Sequence, residues 1–328
     1  MRQTLLSRTH ASWEACELQP CVVREIRPKP FLLNLVLLLI LSGLSGFQFA
    51  CAGSPKAQTP VPSGQPTFSH VVLLVEENHS YSEVIANPSM PYFNGLASRY
   101  GLATQYFAVA HPSLPNYFAL TTGLPETSDD NFSGTITDDN IVRELVKAGR
   151  TWRAYLESIP SAGYLGGDFG PYLRHHNPFS YFSDVQQDSA QAANIVPFSQ
   201  FSSDVANNAL PQYSFVAPDV NDDAHDGSLA DADAWLKNNI APLLASSSFL
   251  SNGLLIITFD EGAQSDVEHA GGHVATLIIS PQSKSGYQSQ TLYQHPSVLR
   301  LSLEALGVNH FPGTAATAAD MIEFFQGH

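Results

Sequence analysis

The chain has 328 residues, of which 15 are Lys or Arg and 30 are Asp or Glu, so its formal net charge is −15. Hydrophobic residues make up 44% of it, which is enough for a sizeable core and excludes a disordered chain. So few basic residues argue against a nucleic-acid-binding protein, because Lys and Arg supply most of the affinity for a phosphate backbone.

The first 52 residues have the pattern of a secretory signal peptide. The apolar run 31–44 is shorter than the roughly 20 residues that span a bilayer. Three basic residues precede it between positions 24 and 29, and the sequence Ala50-Cys51-Ala52 follows it. We therefore predict an exported protein, periplasmic or extracellular, with no transmembrane segment in the mature chain. The alternative is a lipoprotein signal that leaves a lipid anchor on Cys51.

Residues 53–67 (GSPKAQTPVPSGQPT) are predicted to be a Pro/Ser-rich linker, because they contain little that a core could bury. All three cysteines lie before this linker. Cleavage after Ala52 would leave a mature chain without cysteine, which excludes thiol catalysis and disulfide bonds. Residues 68–328 contain no second linker or repeat, so we predict that they form one domain.

Apolar runs alternate with helical patterns along this domain. The runs typical of buried strands are 70–75, 213–217, 253–259 and 274–280. The helical patterns are 90–99, 139–159, 228–244, 296–306 and 316–325. This alternation predicts an α/β fold, a three-layer sandwich in which helices cover both faces of a mostly parallel central sheet.

Three of the predicted strands end in side chains that can bind a metal ion. These side chains are Glu77 and Asn78 after the first strand, the acidic segment 219–226 after the second, and Asp260 and Glu261 after the third. Parallel sheets bind ligands beyond the carboxyl ends of their strands. Carboxylates crowded there repel one another unless they are protonated or neutralised by a metal. Oxygen-rich ligands with histidine nearby predict a divalent cation: Zn²⁺, Mg²⁺, Ca²⁺ or Mn²⁺.

A serine lies at the predicted start of a helix in the segment 111–117 (HPSLPNY). Pro115 suits the first turn, which puts Ser113 at the positive end of the helix dipole. An ordinary capping serine is the alternative interpretation. The sequence contains no Gly-x-Ser-x-Gly elbow, so an α/β-hydrolase triad has no support. A metal ion can activate such a serine, because it lowers the pKa of a hydroxyl bound to it.

Together these residues resemble the bacterial phosphoesterase family of the alkaline-phosphatase-like superfamily, which includes acid phosphatases and phospholipases C that act on phosphatidylcholine. The motifs that carry the resemblance are Glu77-Asn78, Ser113-Leu114-Pro115-Asn116, His176-Asn177-Pro178-Phe179, Asp223-Ala224-His225-Asp226, Asp260-Glu261-Gly262 and Gly271-Gly272-His273. Their order and spacing cover nearly all of residues 70–326. The stretch 113–123 is also similar to the Thr-Phe-Pro-Asn segment of nucleotide pyrophosphatases/phosphodiesterases, where the hydroxyl residue is the nucleophile.

The resemblance implies that residues 68–328 are a phosphoesterase catalytic domain with a bound divalent metal. The ligands that it implies are Glu77, Asn78, Asp260, Glu261 and the hydroxyl of Ser113. Ser113 would attack phosphorus and form a phosphoserine intermediate, and the Asn116 amide would bind a phosphate oxygen.

The resemblance also implies a second half of the site. His225 and His273, with Asp223 or Asp226, would either bind a second metal or supply the proton of the leaving group. His176 would line the phosphate pocket.

This chain departs from the two-metal members of the superfamily at two positions. They have Asp-His after the late strand, where this chain has Asp260-Glu261, and Asn221 stands at the Asp position of their Asp-x-x-x-His pair. We therefore expect one tightly held metal, with a second metal as the alternative.

The predicted function is an exported, metal-dependent phosphoesterase of the acid-phosphatase type that acts on a small-molecule phosphate ester. The first alternative is a phosphodiesterase of the phospholipase C type, or a transferase of the head group, with a phospholipid as substrate. The second alternative is a non-catalytic exported protein that keeps the fold and a metal.

Overall fold

The computed structural model describes residues 66–327. The predicted signal peptide, Cys51 and all but the last two residues of the predicted linker lie outside the described residues. The described strands are β1 (His70–Glu76), β2 (Gly101–Ala103), β3 (Tyr106–Phe107), β4 (Trp152–Leu156), β5 (Ile195–Pro197), β6 (Tyr213–Ala217), β7 (Gly253–Phe259), β8 (Thr276–Ile279), β9 (Gln288–Ser289) and β10 (Tyr293–Gln294). The described α-helices are α1 (Tyr81–Val84), α2 (Pro91–Arg99), α3 (Ser113–Thr122), α4 (Ile141–Lys147), α5 (Ser183–Gln186), α6 (Ser189–Ala192), α7 (Ser199–Ala206), α8 (Leu229–Ala245), α9 (Ser247–Asn252) and α10 (His295–Ala305).

Eight strands form one sheet in the order β5-β4-β6-β1-β7-β8-β2-β9. The five strands from β5 to β7 are parallel to one another, whereas β8 is antiparallel to both of its neighbours, β7 and β2. Strands β3 and β10 form a separate parallel pair. The predicted α/β fold with a mostly parallel sheet is therefore confirmed.

Helices form a layer on each face of the sheet. On one face α3 and α4 pack against α10, and on the other α2, α7 and α9 pack against α8. Every residue of β6 and β7 is buried, because helices cover both sides of these strands. Within residues 66–327, no helix combines the length and the apolar character needed to cross a membrane.

Two of the predicted helices are wrong. The helix predicted over 139–159 stops at Lys147, because Gly149 adopts a left-handed backbone conformation (φ 67°) and ends it. The chain then enters β4, a five-residue strand too short for its apolar pattern to be distinguished from that of a helix. The helix predicted over 316–325 is replaced by two short 3₁₀ turns, Gly313–Ala316 and Ile322–Phe324.

The three strands that end in predicted metal ligands are neighbours at the centre of the sheet. β1 lies between β6 and β7 and is parallel to both, with Leu74 paired to Val216 and Glu76 paired to Phe259. Their carboxyl ends therefore meet at one edge. Helix α3 begins at the same edge, and it ends at Gly123 (φ 76°), where a Cβ would lie 2.4 Å from the carbonyl oxygen of Pro312.

We predict that Leu255→Ala in β7 lowers the free energy of unfolding by ~2–5 kcal/mol, because Leu255 is fully buried and its loss leaves a cavity. Leu250→Ala is the matched control, since the Leu250 side chain on α9 is 58% exposed and its loss should cost little. Chemical denaturation of both variants measures the difference, and equal losses would contradict the assignment of β7 to the core.

Candidate active site

Ser113 is the first residue of α3, and it lies among the groups predicted to surround it. Its hydroxyl donates to Glu77 Oε2 at 3.1 Å and lies 3.5 Å from Asn78 Oδ1. Burial raises the pKa of Asp260 and of Glu261, and the nearby Ser113 hydroxyl lowers both, which places the two carboxylates beside the serine. The structure therefore brings the serine together with the amide and three carboxylates that follow β1 and β7.

The loops after β1 and β7 are joined through the carboxylate of Asp260. The backbone N–H of Asn78 donates to Asp260 Oδ1 at 3.1 Å, and that of Glu261 donates to the same oxygen at 2.6 Å. Asn78 has a left-handed backbone (φ 56°), which asparagine tolerates better than most residues. Asp260 Oδ2 is buried and has no hydrogen-bond partner. One oxygen of Asp260 thus organises the two loops, and the other is left available to a ligand.

Asn116 uses its side chain to hold the loop before α3. Its Oδ1 accepts from the backbone N–H groups of Val109 and Ala110, at 3.0 and 3.2 Å, and its Nδ2 donates to the carbonyls of Ala110 and Pro112, at 2.9 and 3.1 Å. Both amide hydrogens are therefore engaged. This arrangement does not support the expectation that Asn116 binds a phosphate oxygen, and it assigns the residue to positioning Ser113 instead.

Two histidines outside the predicted site contact its acidic residues, one at a carboxylate and one at a backbone carbonyl. His111 Nδ1 lies 2.7 Å from Glu261 Oε2, and its Nε2 donates to the carbonyl of Asp266 at 2.8 Å. His295 is fully buried, and its Nε2 donates to the carbonyl of Asp260 at 2.5 Å. A histidine next to the predicted serine was the sequence signal for His111, whereas His295 opens the C-terminal helix α10, whose similarity to the family was its only signal.

Tyr117 is a site residue that the sequence analysis missed. Its hydroxyl donates to Glu77 Oε1 in a short hydrogen bond, so both oxygens of that carboxylate are engaged. Its ring stacks on that of His176, with centroids 5.2 Å apart and planes 12° from parallel. Tyr117 follows Ser113 by four residues, and residues i and i+4 share one face of a helix, so the helical period was the signal that could have found it.

His176 and Asp223 form, beside Glu77, a group that could hold a metal ion. His176 Nε2 lies 3.3 Å from Glu77 Oε1, and its Nδ1 lies 3.5 Å from Asp223 Oδ2. All three side chains are buried, and their ligand atoms are close enough together for one metal ion. The Glu77 N–H also donates to the carbonyl of Asp223 at 2.8 Å. Glu77 is therefore shared between the two halves of the predicted site.

His225 lies at the solvent edge of this group. Its backbone N–H donates to Asp223 Oδ1 at 2.8 Å, and its ring centroid is 6.2 Å from that of His176. Its Nδ1 pairs with Asp226 Oδ1 at 2.9 Å. The prediction that Asp226 is a metal ligand is not supported, because its side chain is 65% exposed and faces His225 rather than the buried carboxylates.

The imidazole of His273 makes its contacts away from Ser113. It stacks on Tyr81 with centroids 4.3 Å apart, packs against Phe107, and its Nε2 donates to the carbonyl of Thr104 at 3.0 Å. Burial lowers the pKa of His273. The predicted role of His273 in binding a metal or donating a proton is therefore not supported. Its backbone N–H donates to Asp266, which places it in the loop that supports His111.

The carboxylates of the site are strongly destabilised in their charged form. Burial raises the pKa of Glu77 well above its usual range, and the charges of Asp260 and Asp223 raise it further. Burial also raises the pKa of Asp223 to about 7 and that of Glu261 to about 8. Burial lowers the pKa of His176 to about 3, so this histidine supplies no positive charge at neutral pH.

The phosphoesterase family model matches residues 85–308. A phosphatidylinositol-3-phosphatase of Mycobacterium tuberculosis is 36% identical over 241 residues, which are 72% of this chain and 76% of that protein. A probable acid phosphatase of Kluyveromyces lactis is 31% identical over 80% of this chain, but the match spans only 63% of the yeast protein.

The fold is similar to that of a solved structure from the alkaline phosphatase superfamily of Vibrio parahaemolyticus, with a TM-score of 0.53 and 14% identity over 80% of this chain and 69% of that one. The predicted alkaline-phosphatase-like architecture is thereby confirmed. The extent of the family match and the identity to named phosphatases show that the chain belongs to the phosphoesterase family and is a hydrolase of phosphoric ester bonds.

Proposed function

We propose that the protein is an exported, metal-dependent phosphatase that cleaves phosphate monoesters through a phosphoserine intermediate on Ser113. One observation carries the proposal: the Ser113 hydroxyl, at the start of a helix, contacts the buried carboxylate of Glu77 beside Asn78, Asp260 and Glu261. Export is inferred from the signal-like sequence of residues 1–52.

The donor set around Ser113 fits a hard divalent cation. It offers carboxylate, amide and hydroxyl oxygens, the ligand types that Mg²⁺, Ca²⁺ and Mn²⁺ prefer and that Zn²⁺ accepts. The unpartnered Oδ2 of Asp260 and the raised pKa values of Glu77 and Glu261 are the signs of a carboxylate cluster that a cation would neutralise. When bound, such an ion would supply charge stabilisation to the serine and phosphate oxygens.

The residues of the chain then account for the steps of the reaction. Ser113 gives up its proton toward Glu77 Oε2, which already accepts its hydrogen bond, and its oxygen attacks phosphorus as the bond to the leaving alcohol breaks. His225, at the solvent edge, donates a proton to that alcohol. A water molecule then attacks the phosphoserine and gives a proton to His225, while the bond from phosphorus to the serine oxygen breaks and Glu77 returns its proton to that oxygen. Tyr117 and His111 keep Glu77 and Glu261 in position.

A second ion is the alternative for the group formed by Glu77, His176 and Asp223, whose ligand atoms are mutually close. A neutral imidazole is the form that binds metals, and the lowered pKa of His176, caused mainly by burial, favours that form. Without a second ion, the same histidine would line the phosphate pocket.

A phospholipid is the second candidate substrate, and two exposed apolar side chains favour it. Phe169 is 58% exposed and follows Asp168, whose charge acts on His176. Val267 is 69% exposed and follows Asp266, whose carbonyl accepts from His111. Apolar side chains near both sides of the site would suit an acyl chain or a lipid surface.

We expect Ser113→Ala to reduce hydrolysis of an aryl phosphate by roughly 10³-fold or more, because it removes the nucleophile. Ser302→Ala is the matched control, since Ser302 is a buried helical serine whose hydroxyl has no partner. Acid-quenched wild-type enzyme should carry one phosphate on the peptide that contains Ser113, as read by mass spectrometry. Full activity of Ser113→Ala would remove this serine from the mechanism.

Tyr117→Phe should weaken metal binding by ~10–100-fold, because it removes the hydroxyl that orients Glu77 Oε1. The measurement is calorimetric titration of chelator-treated protein with Mn²⁺ or Zn²⁺, supported by the rise in Tm that each ion causes. Tyr155→Phe serves as the control, since the Tyr155 hydroxyl donates to Asp204 instead. Identical affinities in the two variants would count against Glu77 as a ligand.

A substrate panel distinguishes the two candidate functions. We expect turnover of an aryl phosphate monoester to exceed that of an aryl phosphodiester and of phosphatidylcholine vesicles. Phe169→Ser and Val267→Ser should leave the monoester rate unchanged. If phosphatidylcholine is the best substrate, and if both variants lose activity on vesicles alone, the phospholipase alternative replaces the phosphatase.

A further inference from the structure

Three acidic residues outside the candidate active site form a separate group of carboxylates, on the other side of the sheet from Ser113. Ligand oxygens of Glu157, Asp219 and Asp222 are close enough together to hold one ion. Asp219 and Asp222 belong to the loop after β6, and Glu157 directly follows β4. The Asp219 N–H donates to Glu157 Oε2 at 3.2 Å, and the indole of Trp235 on α8 donates to Glu157 Oε1 at 3.1 Å. This group therefore lies under α8, away from α3.

A fourth carboxylate, Glu76, has no partner and lies on the same face of the sheet as Glu157. It is 0% exposed, and neither of its side-chain oxygens has a hydrogen-bond partner. The carboxylates whose charges act on it are, in order of decreasing effect, Asp223, Asp222, Asp233 on α8 and Glu157, so two members of the group are among its neighbours. A fully buried carboxylate without a donor is costly to keep charged, so it points to a missing ligand or proton.

The register of the sheet explains why Glu76 and Glu157 share a face. Leu74 pairs with Val216 and Leu156 pairs with Ala217, so Glu76, two residues beyond Leu74, and Glu157, one residue beyond Leu156, both lie level with Pro218. Paired residues of neighbouring strands point to the same face of a sheet. Glu77 follows Glu76 in the extended chain and so points to the opposite face, toward Ser113.

We propose that Glu76, Glu157, Asp219 and Asp222 form a second cation site, for Ca²⁺, under α8. Four carboxylates and no histidine are a donor set for a hard cation, and Ca²⁺ accepts irregular geometry with waters completing its shell. Glu157 and Asp222 are only partly buried, which leaves room for those waters. The ion would tie the loop after β6 to β1 and β4, and this loop also carries Asp223 of the candidate active site.

The probe for this site is terbium. Tb³⁺ replaces Ca²⁺ in sites with oxygen ligands, and it emits light when a nearby tryptophan is excited. We expect emission from Tb³⁺ bound to the purified protein on tryptophan excitation, and its displacement by Ca²⁺. Trp235→Phe should abolish this emission, because Trp235 contacts Glu157, whereas Trp152→Phe should retain it, since Trp152 lies at the other end of β4.

Asp222→Asn should weaken Ca²⁺ binding ~10-fold or more and reduce the rise in Tm that Ca²⁺ causes. Asp226→Asn, an exposed acid of the same loop, should change neither. Because Asp222 is partly exposed, this variant should fold. Glu157→Gln, which keeps an acceptor for Trp235, is a second variant with the same expected loss of affinity.

Two results would overturn the proposal. The first is an absence of tryptophan-sensitised emission, or emission that Asp222→Asn leaves unchanged. The second is a Glu76→Gln variant that is more stable than the wild type but binds Ca²⁺ with the same affinity, because Glu76 would then be a protonated acid outside any cation site. Both readouts are independent of phosphatase activity, so they do not depend on the mechanism at Ser113.

Discussion

Buried carboxylates are crowded at one edge of the sheet, and this crowding sets the electrostatics of the candidate active site. Glu77, Asp223, Asp260 and Glu261 are almost fully buried, and no Lys or Arg of the described residues forms an ion pair with any of them. A charged group in such surroundings must be neutralised by a proton or by a metal ion. In the mechanism that we propose, this uncompensated negative charge favours the binding of a cation next to Ser113.

The topology of the sheet creates this crowding, and uncharged hydrogen-bond donors stabilise the crowded carboxylates. The strands β6, β1 and β7 are adjacent and parallel, so the loops that follow them lie side by side at one edge of the sheet. Hydrogen bonds from Tyr117 to Glu77, and from the backbone of Asn78 and Glu261 to Asp260, then hold individual oxygens in place. These donors orient the carboxylates without neutralising them, which leaves the charge for a ligand.

Glu76, the last residue of β1, and Glu77, which follows it, lie on opposite faces of the extended chain. Glu76 is a member of the cation site that we propose under α8, whereas Glu77 accepts a hydrogen bond from Ser113 of α3. The loop after β6 contributes to both regions, since it carries Asp219 and Asp222 on one side and Asp223 on the other. An ion under α8 would therefore act on the candidate active site through the position of this loop, with no direct contact to Ser113.

The fold class could be predicted from the sequence, and so could the residues that we propose as the nucleophile and as metal ligands. Unbroken apolar runs indicate strands buried on both faces, and Glu77, Asp260 and Ser113 were identifiable because each lies at the end of a strand or the start of a helix. Which loop residues face the serine could be seen only in the folded structure. Asp226 and His273 belong to motifs in the right order yet point elsewhere, whereas His295 reaches Asp260 from 35 residues away. The hydrophobic pattern of a strand or helix depends on residues that are close in sequence. Contacts between distant side chains depend instead on strand order and helix packing, which no single segment of the sequence specifies.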